Sequence, residues 1–213
     1  MPVTNVKTDN ARLADKVALR LDYSPWPKDN NLPLRVLDLF GGHGVVWAAV
    51  ARKKKKQINR IAVDIRHDMT ELHIHGDNRK VLAGLDLTSF DVVDIDAYGI
   101  PVEQLTYILQ SGFQGTVFFT AIQTMHGSLP SVLLDDLGFP KAISKKAPTL
   151  PARRGWALMC QWLALKGVRR LVHRSEPKRR KHYACFNTSG INDAGDAAVG
   201  WSNPAEETAA GRA

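Results

Sequence analysis

Three closely spaced glycines directly after a short apolar run constrain the fold of this chain more than any other feature. Residues 36–40 read Val-Leu-Asp-Leu-Phe, and Gly41, Gly42 and Gly44 follow them. An almost wholly apolar run of this length is typical of a strand that is buried on both faces of a parallel sheet. Residues 45–50 are again apolar and favour a helix. The stretch therefore predicts a strand, a glycine turn and a helix N-terminus, where backbone N–H groups can approach a ligand closely.

The rest of the chain repeats this alternation of strands and helices. Further strands are predicted at Arg60–Ile65, Leu72–His75, Phe90–Ile95 and Gly115–Phe119, and helices at Arg12–Leu21, from Arg79, from Pro101 to Ser111, and at Arg154–Leu165. Two last strands, Val168–Ser175 and His182–Asn187, flank the turn residues 177–180 and predict an antiparallel hairpin. The predicted fold class is α/β, with a single doubly wound, mostly parallel seven-stranded, Rossmann-like sheet that ends in this hairpin.

Length and composition predict one main domain. A chain of 213 residues with 44% hydrophobic content can bury one core of ordinary size. We expect an N-terminal helix and loop over residues 1–33, the main domain over 34–187, an irregular segment at 141–151, and a flexible tail over 188–213. Neither a signal peptide nor a membrane-spanning stretch is apparent, so we expect a cytoplasmic protein with no membrane partner.

The glycine turn also resembles a known cofactor motif. Asp38 lies three residues before Gly41, and the spacing is not the Gly-x-Gly-x-x-Gly of dinucleotide-binding folds. The run from Val36 to Gly44 resembles the first motif of class I S-adenosylmethionine-dependent methyltransferases. Asp64 lies 23 residues after Gly41, a distance that suits a contact with the ribose of the ligand in dinucleotide-binding folds and in these methyltransferases alike. The resemblance implies S-adenosylmethionine as the cofactor. It also implies that Asp77, after the third strand, contacts the adenine amino group of this cofactor. The predicted contacts are Asp38, Phe40, Gly41, Gly42, Gly44, Asp64, Ile65, Asp77, Asn78 and Asp94. The alternative is a glycine turn that merely connects strand to helix.

A second motif follows the fourth strand. Asp94, Asp96, Tyr98 and Gly99 resemble the fourth motif of amino-methylating members of this family, and are nearest to the tRNA guanine-N2 dimethyltransferases. The resemblance implies an N-methyltransferase in which Asp96 accepts a hydrogen bond from an exocyclic base amine, while Tyr98 stacks on the base. We expect RNA, with tRNA guanine N2 favoured over DNA adenine N6. Ala97 departs from the family's proline. The alternative is an acid that caps the next helix and an aromatic ring that packs over it.

The basic charge of the chain is concentrated in two places. The formal net charge is +8 and the pI about 9.6. Residues 52–56 are five consecutive bases, and a second cluster lies between residues 153 and 181. Such clusters favour a polyanionic partner, although a solvated face is the alternative. The predicted nucleic-acid contacts are Arg153, Arg154, Lys178, Arg179, Arg180 and Lys181.

Other chemistries are less well supported. His73, His75 and Asp77 share the spacing of metal ligands, but the sequence offers no second ligand cluster, so no metal is predicted. Methylation at cytosine C5 needs a nucleophilic cysteine, and neither Cys160 nor Cys185 has a reactive context. A binding module with a methyltransferase fold but without turnover, for nucleic acid or protein, remains the alternative function. The oligomeric state is left open.

Overall fold

The computed structural model describes residues 12–66, 73–122, 129–146, 154–176 and 181–189. The helices are α1 (Leu13–Tyr23), α2 (Val45–Lys54), α3 (Asn78–Gly84), α4 (Val102–Gln110), α5 (Ser131–Asp136), α6 (Lys141–Lys146) and α7 (Gly155–Leu165). The strands are β1 (Leu34–Asp38), β2 (Ile58–Asp64), β3 (His73–His75), β4 (Val92–Ile95), β5 (Thr116–Ile122), β6 (Val172–Glu176) and β7 (Lys181–Asn187).

The seven strands form one sheet in the order β3-β2-β1-β4-β5-β7-β6. The first five in this order run parallel, whereas β7 is antiparallel to both β5 and β6. This arrangement confirms the predicted α/β class, the seven strands and the antiparallel end of the sheet. The carboxyl ends of β1, β2 and β4 meet at one edge, which we call the cleft edge, and the amino end of β5 lies at the opposite edge.

Helices cover both faces of the sheet, so the sheet is doubly wound as predicted. On one face α1 and α2 bury Val17, Leu19 and Trp47 against Phe118. On the other face α3, α4, α5 and α7 form the larger core, whose members include Leu82, Leu105, Ile108, Leu133, Trp162 and Leu163. Because β1 is central, its residues 36–38 are buried, as their apolar run predicts.

Most element boundaries agree with the sequence to within a few residues, and two differences have clear causes. The sequence predicts an irregular segment at 141–151, but residues 141–146 form α6, so this prediction is wrong there. Strand β5 extends to Ile122, three residues beyond its predicted end, because β7 pairs with it as far as Lys181. The predicted start of β3 at Leu72, the hairpin turn at 177–180 and nearly all of the predicted tail lie outside the described residues.

None of the helices described here is both long and apolar enough to cross a bilayer.

Candidate active site

The glycine turn adopts the backbone conformation that its sequence predicts. Gly42 and Gly44 have φ of 45° and 67°, in the left-handed region that favours glycine. Gly41 is required for a different reason, because a Cβ there would lie 2.6 Å from the Cβ of Ala62 on β2. Arg60 on β2 also supports the turn, since its Nη2 donates a hydrogen bond to the carbonyl oxygen of Gly41 at 3.1 Å. The turn is therefore held tightly against β2 while its upper side carries no side chain at these three positions.

Asp64 at the tip of β2 is tied directly to this turn. Its Oδ2 accepts a hydrogen bond from the backbone N–H of Gly42 at 3.1 Å, and its Oδ1 accepts one from the N–H of Arg66 at 3.0 Å. Each carboxylate oxygen has a further lone pair that can accept from a ligand. The next residue, Ile65, is 70% exposed although it is apolar. An acid and an exposed apolar side chain thus stand side by side at the cleft edge.

These residues line a cavity of about 450 Å³ at the cleft edge, which we call the large compartment. Its volume lies within the range of small-molecule sites. Its lining includes Leu39, Phe40, Asp64, Ile65, Gly76, Asp77, Asn78, Arg79, Ala97, Tyr98, Ile100 and Gln104. The sequence therefore predicted six of its residues as cofactor or catalytic groups, namely Phe40, Asp64, Ile65, Asp77, Asn78 and Tyr98.

The two polar residues after β3 are fixed by neighbouring helices. Asp77 caps α3 by accepting from the N–H of Arg79 at 3.0 Å, and it also pairs with the Arg79 guanidinium. These bonds with Arg79 lower the pKa of Asp77 to about 2. Asn78 accepts from Gln104 Nε2 at 2.8 Å through its Oδ1, and its Nδ2 donates to the carbonyl of Leu39 at 3.4 Å. Both side chains are held in place before any ligand arrives.

A smaller cavity of about 70 Å³, the small compartment, adjoins the glycine turn. Phe40 lines both compartments, so they lie next to each other along the cleft edge. The small compartment is lined by Arg20, Asp38, Phe40, Gly41, Gly42, His43, Gly44, Val45, Val46, Asp94 and Asp96. Asp96 therefore shares a hollow with the turn from Gly41 to Gly44, as its proposed role requires.

Two ion pairs from α1 reach the end of β4, and we call them the α1–β4 ladder. Arg20 binds Asp94 through Nη2 at 2.6 Å and Nε at 2.7 Å, and Lys16 Nζ contacts Asp96 Oδ2 at 2.5 Å. The spacing of Lys16 and Arg20 on α1 matches that of Asp94 and Asp96, because four helical residues rise about 6 Å and two extended residues span about 6.6 Å. The ladder fastens α1 to the cleft edge of the sheet.

The ladder engages the carboxylate of Asp94, which is a predicted cofactor contact. Asp94 Oδ2 also accepts from Trp47 Nε1 at 2.7 Å, and the side chains of Arg20 and Asp94 are both only 2% exposed. Its oxygens are thus engaged inside the protein, because Arg20 and Trp47 approach them from α1 and α2. Asp94 lines the small compartment beside the glycine turn, so its contact with the cofactor stays a prediction.

Asp38 forms a third buried ion pair beneath the turn. Its Oδ2 accepts from Arg60 Nε at 3.1 Å, and in the sheet it is the register partner of Asp94. Burial, reinforced by the neighbouring charge of Asp94, raises the pKa of Asp38 above its usual range despite the Arg60 guanidinium. Asp38 therefore supports the turn through Arg60.

Asp96 is held as an ionised hydrogen-bond acceptor. Its Oδ1 accepts from the Thr120 hydroxyl at 2.6 Å, opposite the Lys16 contact at Oδ2. Burial acts to raise the pKa of Asp96, but the charges of Lys16 and Arg20 and the two hydrogen bonds outweigh it and leave the pKa lowered. A carboxylate can accept about four hydrogen bonds, so each oxygen keeps capacity for one more.

Tyr98 is the most exposed large apolar side chain of the described residues, at 75%. It lies at the large compartment, and the following Gly99 has a φ of 112° and accepts a backbone hydrogen bond from Ile122 at 2.8 Å. Ala97, which stands where the resembled family has proline, is buried in the larger core. The aromatic ring is therefore presented outwards from a loop whose backbone is anchored to β5.

The predicted nucleic-acid contacts divide into three groups. Arg154 is exposed at the start of α7, which is compatible with its predicted role. Lys181 is buried within β7, paired with β5 and β6, so its prediction as a surface contact is wrong. Arg153 and residues 178–180 lie outside the described part of the chain.

The cysteines and histidines do not form an alternative centre within the described residues. Burial raises the pKa of Cys160 to about 11 and that of Cys185 to about 12, so neither thiol is activated. His75 Nε2 is bonded to the carbonyl of Ile65 at 3.0 Å. In the ranges the structure covers, no three His, Cys, Asp or Glu side chains are grouped as metal ligands would be.

Sequence reasoning missed three residues of the site, Lys16, Arg20 and Arg60, and it identified Thr120 only as compatible with the motif that follows β4. The signal for Arg60 was present, since a lone arginine inside the apolar strand β2 needs a buried partner. The ladder had a weaker signal, namely two bases one helical turn apart and two acids two residues apart. Nothing local connects them, because their partners are 74 and 80 residues away.

Known proteins that are similar to this chain are found among solved structures, each with low sequence identity. No family model matches the chain, and no curated protein matches it. Among solved structures, it is similar to an S-adenosylmethionine-dependent methyltransferase from Archaeoglobus fulgidus, with 17% identity, 82% of this chain and 93% of that chain covered, and a TM-score of 0.47. A possible exported protein from Bordetella parapertussis matches with 11% identity, coverage of 83% and 67%, and a TM-score of 0.49. An O-methyltransferase family protein from Burkholderia thailandensis matches with 16% identity, coverage of 84% and 55%, and a TM-score of 0.44.

The strand order itself defines the class of fold. Five parallel strands followed by an antiparallel pair form the sheet expected of class I S-adenosylmethionine-dependent methyltransferases, and the glycine turn after β1 lies where their first motif lies. The fold is therefore of this methyltransferase type.

Proposed function

We propose that this protein is an S-adenosylmethionine-dependent methyltransferase that modifies an exocyclic amine of a nucleic-acid base. The observation that carries the proposal is the position of Asp96. This ionised acceptor lines the small compartment together with the glycine turn. The glycine turn is also hydrogen-bonded to Asp64 at the tip of β2, through the N–H of Gly42.

The residues of the cleft edge fit the parts of S-adenosylmethionine. Asp64 would accept from the ribose hydroxyls with its remaining lone pairs, and Ile65 would cover the adenine. Asp77 or Asn78 would meet the adenine amino group, since both line the large compartment. The turn from Gly41 to Gly44 would lie against the amino acid end, where backbone N–H groups and the start of α2 favour a carboxylate.

The cofactor supplies an electrophilic methyl group on a sulfonium, so the protein contributes mainly alignment and electrostatics. Asp96 would accept a hydrogen bond from the amine N–H and thereby increase the electron density on nitrogen. The nitrogen forms the new bond to the methyl carbon as the sulfur–carbon bond breaks, and the nitrogen then loses a proton to water. Because the pKa of Asp96 is lowered, we assign it as a hydrogen-bond acceptor and orienting group.

Tyr98 would hold the base by stacking, which is worth about 1–3 kcal/mol per base. Its exposure beside the large compartment leaves a ring face available to an unpaired base. Arg154, together with Arg153 and residues 178–180, would contact phosphates, as cationic clusters do. RNA, with guanine N2 as the target atom, is favoured over adenine N6 of DNA because the residues after β4 are nearest in pattern to the tRNA guanine-N2 dimethyltransferases.

Two observations favour a second candidate, a binding module without turnover. Lys16 already occupies one oxygen of Asp96, and Ala97 replaces the proline of the resembled motif. In this alternative the cleft edge would bind nucleic acid or protein, and Asp96 would serve only to anchor α1.

Calorimetric titration with S-adenosylmethionine tests the cofactor site. Asp64→Ala should weaken binding roughly tenfold or more, the usual effect of losing a charge-assisted hydrogen bond. Asp135→Ala is the matched control, because Asp135 is an exposed acid that lines neither compartment. If the wild-type protein shows no binding, the methyltransferase proposal is wrong and the binding module is favoured.

Incubation of mixed RNA and DNA with isotopically labelled cofactor, followed by nucleoside mass spectrometry, tests the transfer and identifies the atom. Asp96→Ala, which removes both acceptor oxygens, should abolish transfer while leaving cofactor affinity nearly unchanged. Equal loss of both would move Asp96 into the cofactor pocket and contradict its assigned role.

Tyr98→Ala tests whether the base stacks on Tyr98. Because the Tyr98 side chain is largely exposed, this substitution should leave folding intact. It should raise KM for the polymer, whereas Leu165→Ala, which removes an exposed apolar side chain outside both compartments, should not. Equal KM values for these two variants would rule out stacking on Tyr98.

A further inference from the structure

A third cavity, of about 310 Å³, lies at the edge of the sheet opposite the cleft edge. It is formed by the end of α1, the loop between α7 and β6, and the ends of β5 and β7, and we call it the lower notch. Its lining is Tyr23, Thr116, Gly167, Arg169, Arg170, Val172, Cys185, Phe186, Asn187 and Ser189. Strand β5 runs from this edge to the cleft edge in seven residues, so the two sites are roughly 20 Å apart.

The lower notch is electropositive. Its lining contains two arginines and no acid. Arg170 is exposed and has no ion-pair partner within the described ranges, and the nearby acid Asp22 is engaged by Arg174 at 3.3 Å. An arginine fork matches the oxygens of a phosphate, and two adjacent arginines can bind it from two directions.

The remaining walls suit a planar, partly apolar group. Val172 and Cys185, which lie on the face of the sheet that α1 covers, form an apolar floor at the open end of the sheet. Tyr23 stands at the rim with 40% of its surface exposed, so its ring can cover a base. Asn187 and Ser189 provide polar atoms at the same rim, and Asn187 Oδ1 is fixed by the N–H of Ser189 at 2.7 Å.

We propose that the lower notch binds a nucleotide unit, with its phosphate on Arg170 and Arg169 and its base between Tyr23 and the apolar floor. The volume is at the lower end of the range for small-ligand sites, which suits one nucleotide unit. The unit can come from a free nucleotide or from a nucleic-acid strand that also reaches the cleft edge. This site is independent of the transfer reaction, since it shares no lining residue with either compartment.

Titration of the full chain with uridine 5′-monophosphate, in saturating S-adenosylhomocysteine, tests the proposal. A pyrimidine nucleotide together with the blocked cleft avoids confusion with adenosine binding at the large compartment. Arg170→Ala should weaken binding roughly tenfold or more, because a charge-assisted contact is lost, and uridine should bind far more weakly than its phosphate. Arg52→Ala on α2 is the matched control, an exposed arginine that lines none of the three cavities.

The outcomes separate cleanly. No detectable binding, or equal weakening by Arg170→Ala and Arg52→Ala, would overturn the lower notch as a site. If a short single-stranded oligouridylate binds much more tightly than the mononucleotide and is weakened by Arg170→Ala, the source is a strand. If the two bind alike, the source is a free nucleotide. Asp64→Ala should leave all these affinities unchanged, so a failure of the methyltransferase proposal leaves this result interpretable.

Discussion

Replacement of Arg20 by methionine should destabilise the protein far more than loss of an ordinary ion pair. The side chains of Arg20 and Asp94 are 2% exposed, and three nitrogen–oxygen contacts converge on Asp94, two from Arg20 and one from Trp47. Arg20→Met would leave the buried Asp94 charge without its counter-ion, which typically costs about 3–5 kcal/mol. The same protein contains a control of identical chemistry, because Arg35 binds Asp91 through the same fork but is 49% exposed.

Urea denaturation followed by circular dichroism measures the free energy of unfolding of each variant. Arg35→Met should cost about 0–1 kcal/mol, the usual value for a solvent-exposed pair. The double variant Arg20→Met, Asp94→Asn should recover much of the loss, since asparagine carries no charge and can still accept from Trp47. If Arg20→Met costs no more than Arg35→Met, or if the double variant is simply additive, the argument from burial is refuted.

Three further predictions concern stability, each measured as a free energy of unfolding. Gly41→Ala should cost about 1–3 kcal/mol because its Cβ would meet a backbone-attached carbon at 2.6 Å, whereas Gly84→Ala, with open space around it, should be neutral or stabilising. Trp47→Phe should cost about 1.5–3 kcal/mol through loss of its hydrogen bond to a buried carboxylate, and an unchanged stability would contradict this. Burial lowers the pKa of His182 to about 4, below its unfolded value, so its contribution is intact above about pH 6.5 and is lost as the pH falls towards 4. Because His182 is partly exposed, the expected loss in the free energy of unfolding between pH 6.5 and 4 is about 2 kcal/mol. His182→Phe should remove this pH dependence. If the free energies of the wild type and of His182→Phe change in parallel with pH, His182 is not its origin.

Most of the helices and strands could be predicted from local patterns in the sequence. The apolar run before Gly41, the proline before α4 and the glycine at position 112, with a φ of 74°, each specify a boundary within a few residues. Their signals are short-ranged, because they depend on backbone conformation and on burial of neighbouring positions. Residues 141–146 lacked such a signal, since their lysines and nearby prolines are typical of a loop, and the short helix α6 still forms there.

The candidate site was predictable only where each residue acts from its own strand end. Asp64 ends β2, and Asp77 and Tyr98 lie within three residues of the ends of β3 and β4, so strand assignment places them at the cleft edge. The partners that determine the charge state of Asp96 could not be found this way. Lys16 and Thr120 come from elements 80 and 24 residues away, and such contacts leave no periodicity in the sequence.

The tie between α1 and the end of β4 also constrains how the protein is made. Arg20 emerges from the ribosome 74 residues before Asp94, which at about 5–20 residues per second means roughly 4 to 15 seconds without its counter-ion. During that interval the first helix cannot be locked in place, and it becomes secured only when the middle of the sheet has been synthesised. Helix α1 is therefore among the last elements to settle, and a nascent chain that stalls before residue 94 would expose the amphipathic surface of this helix to chaperones.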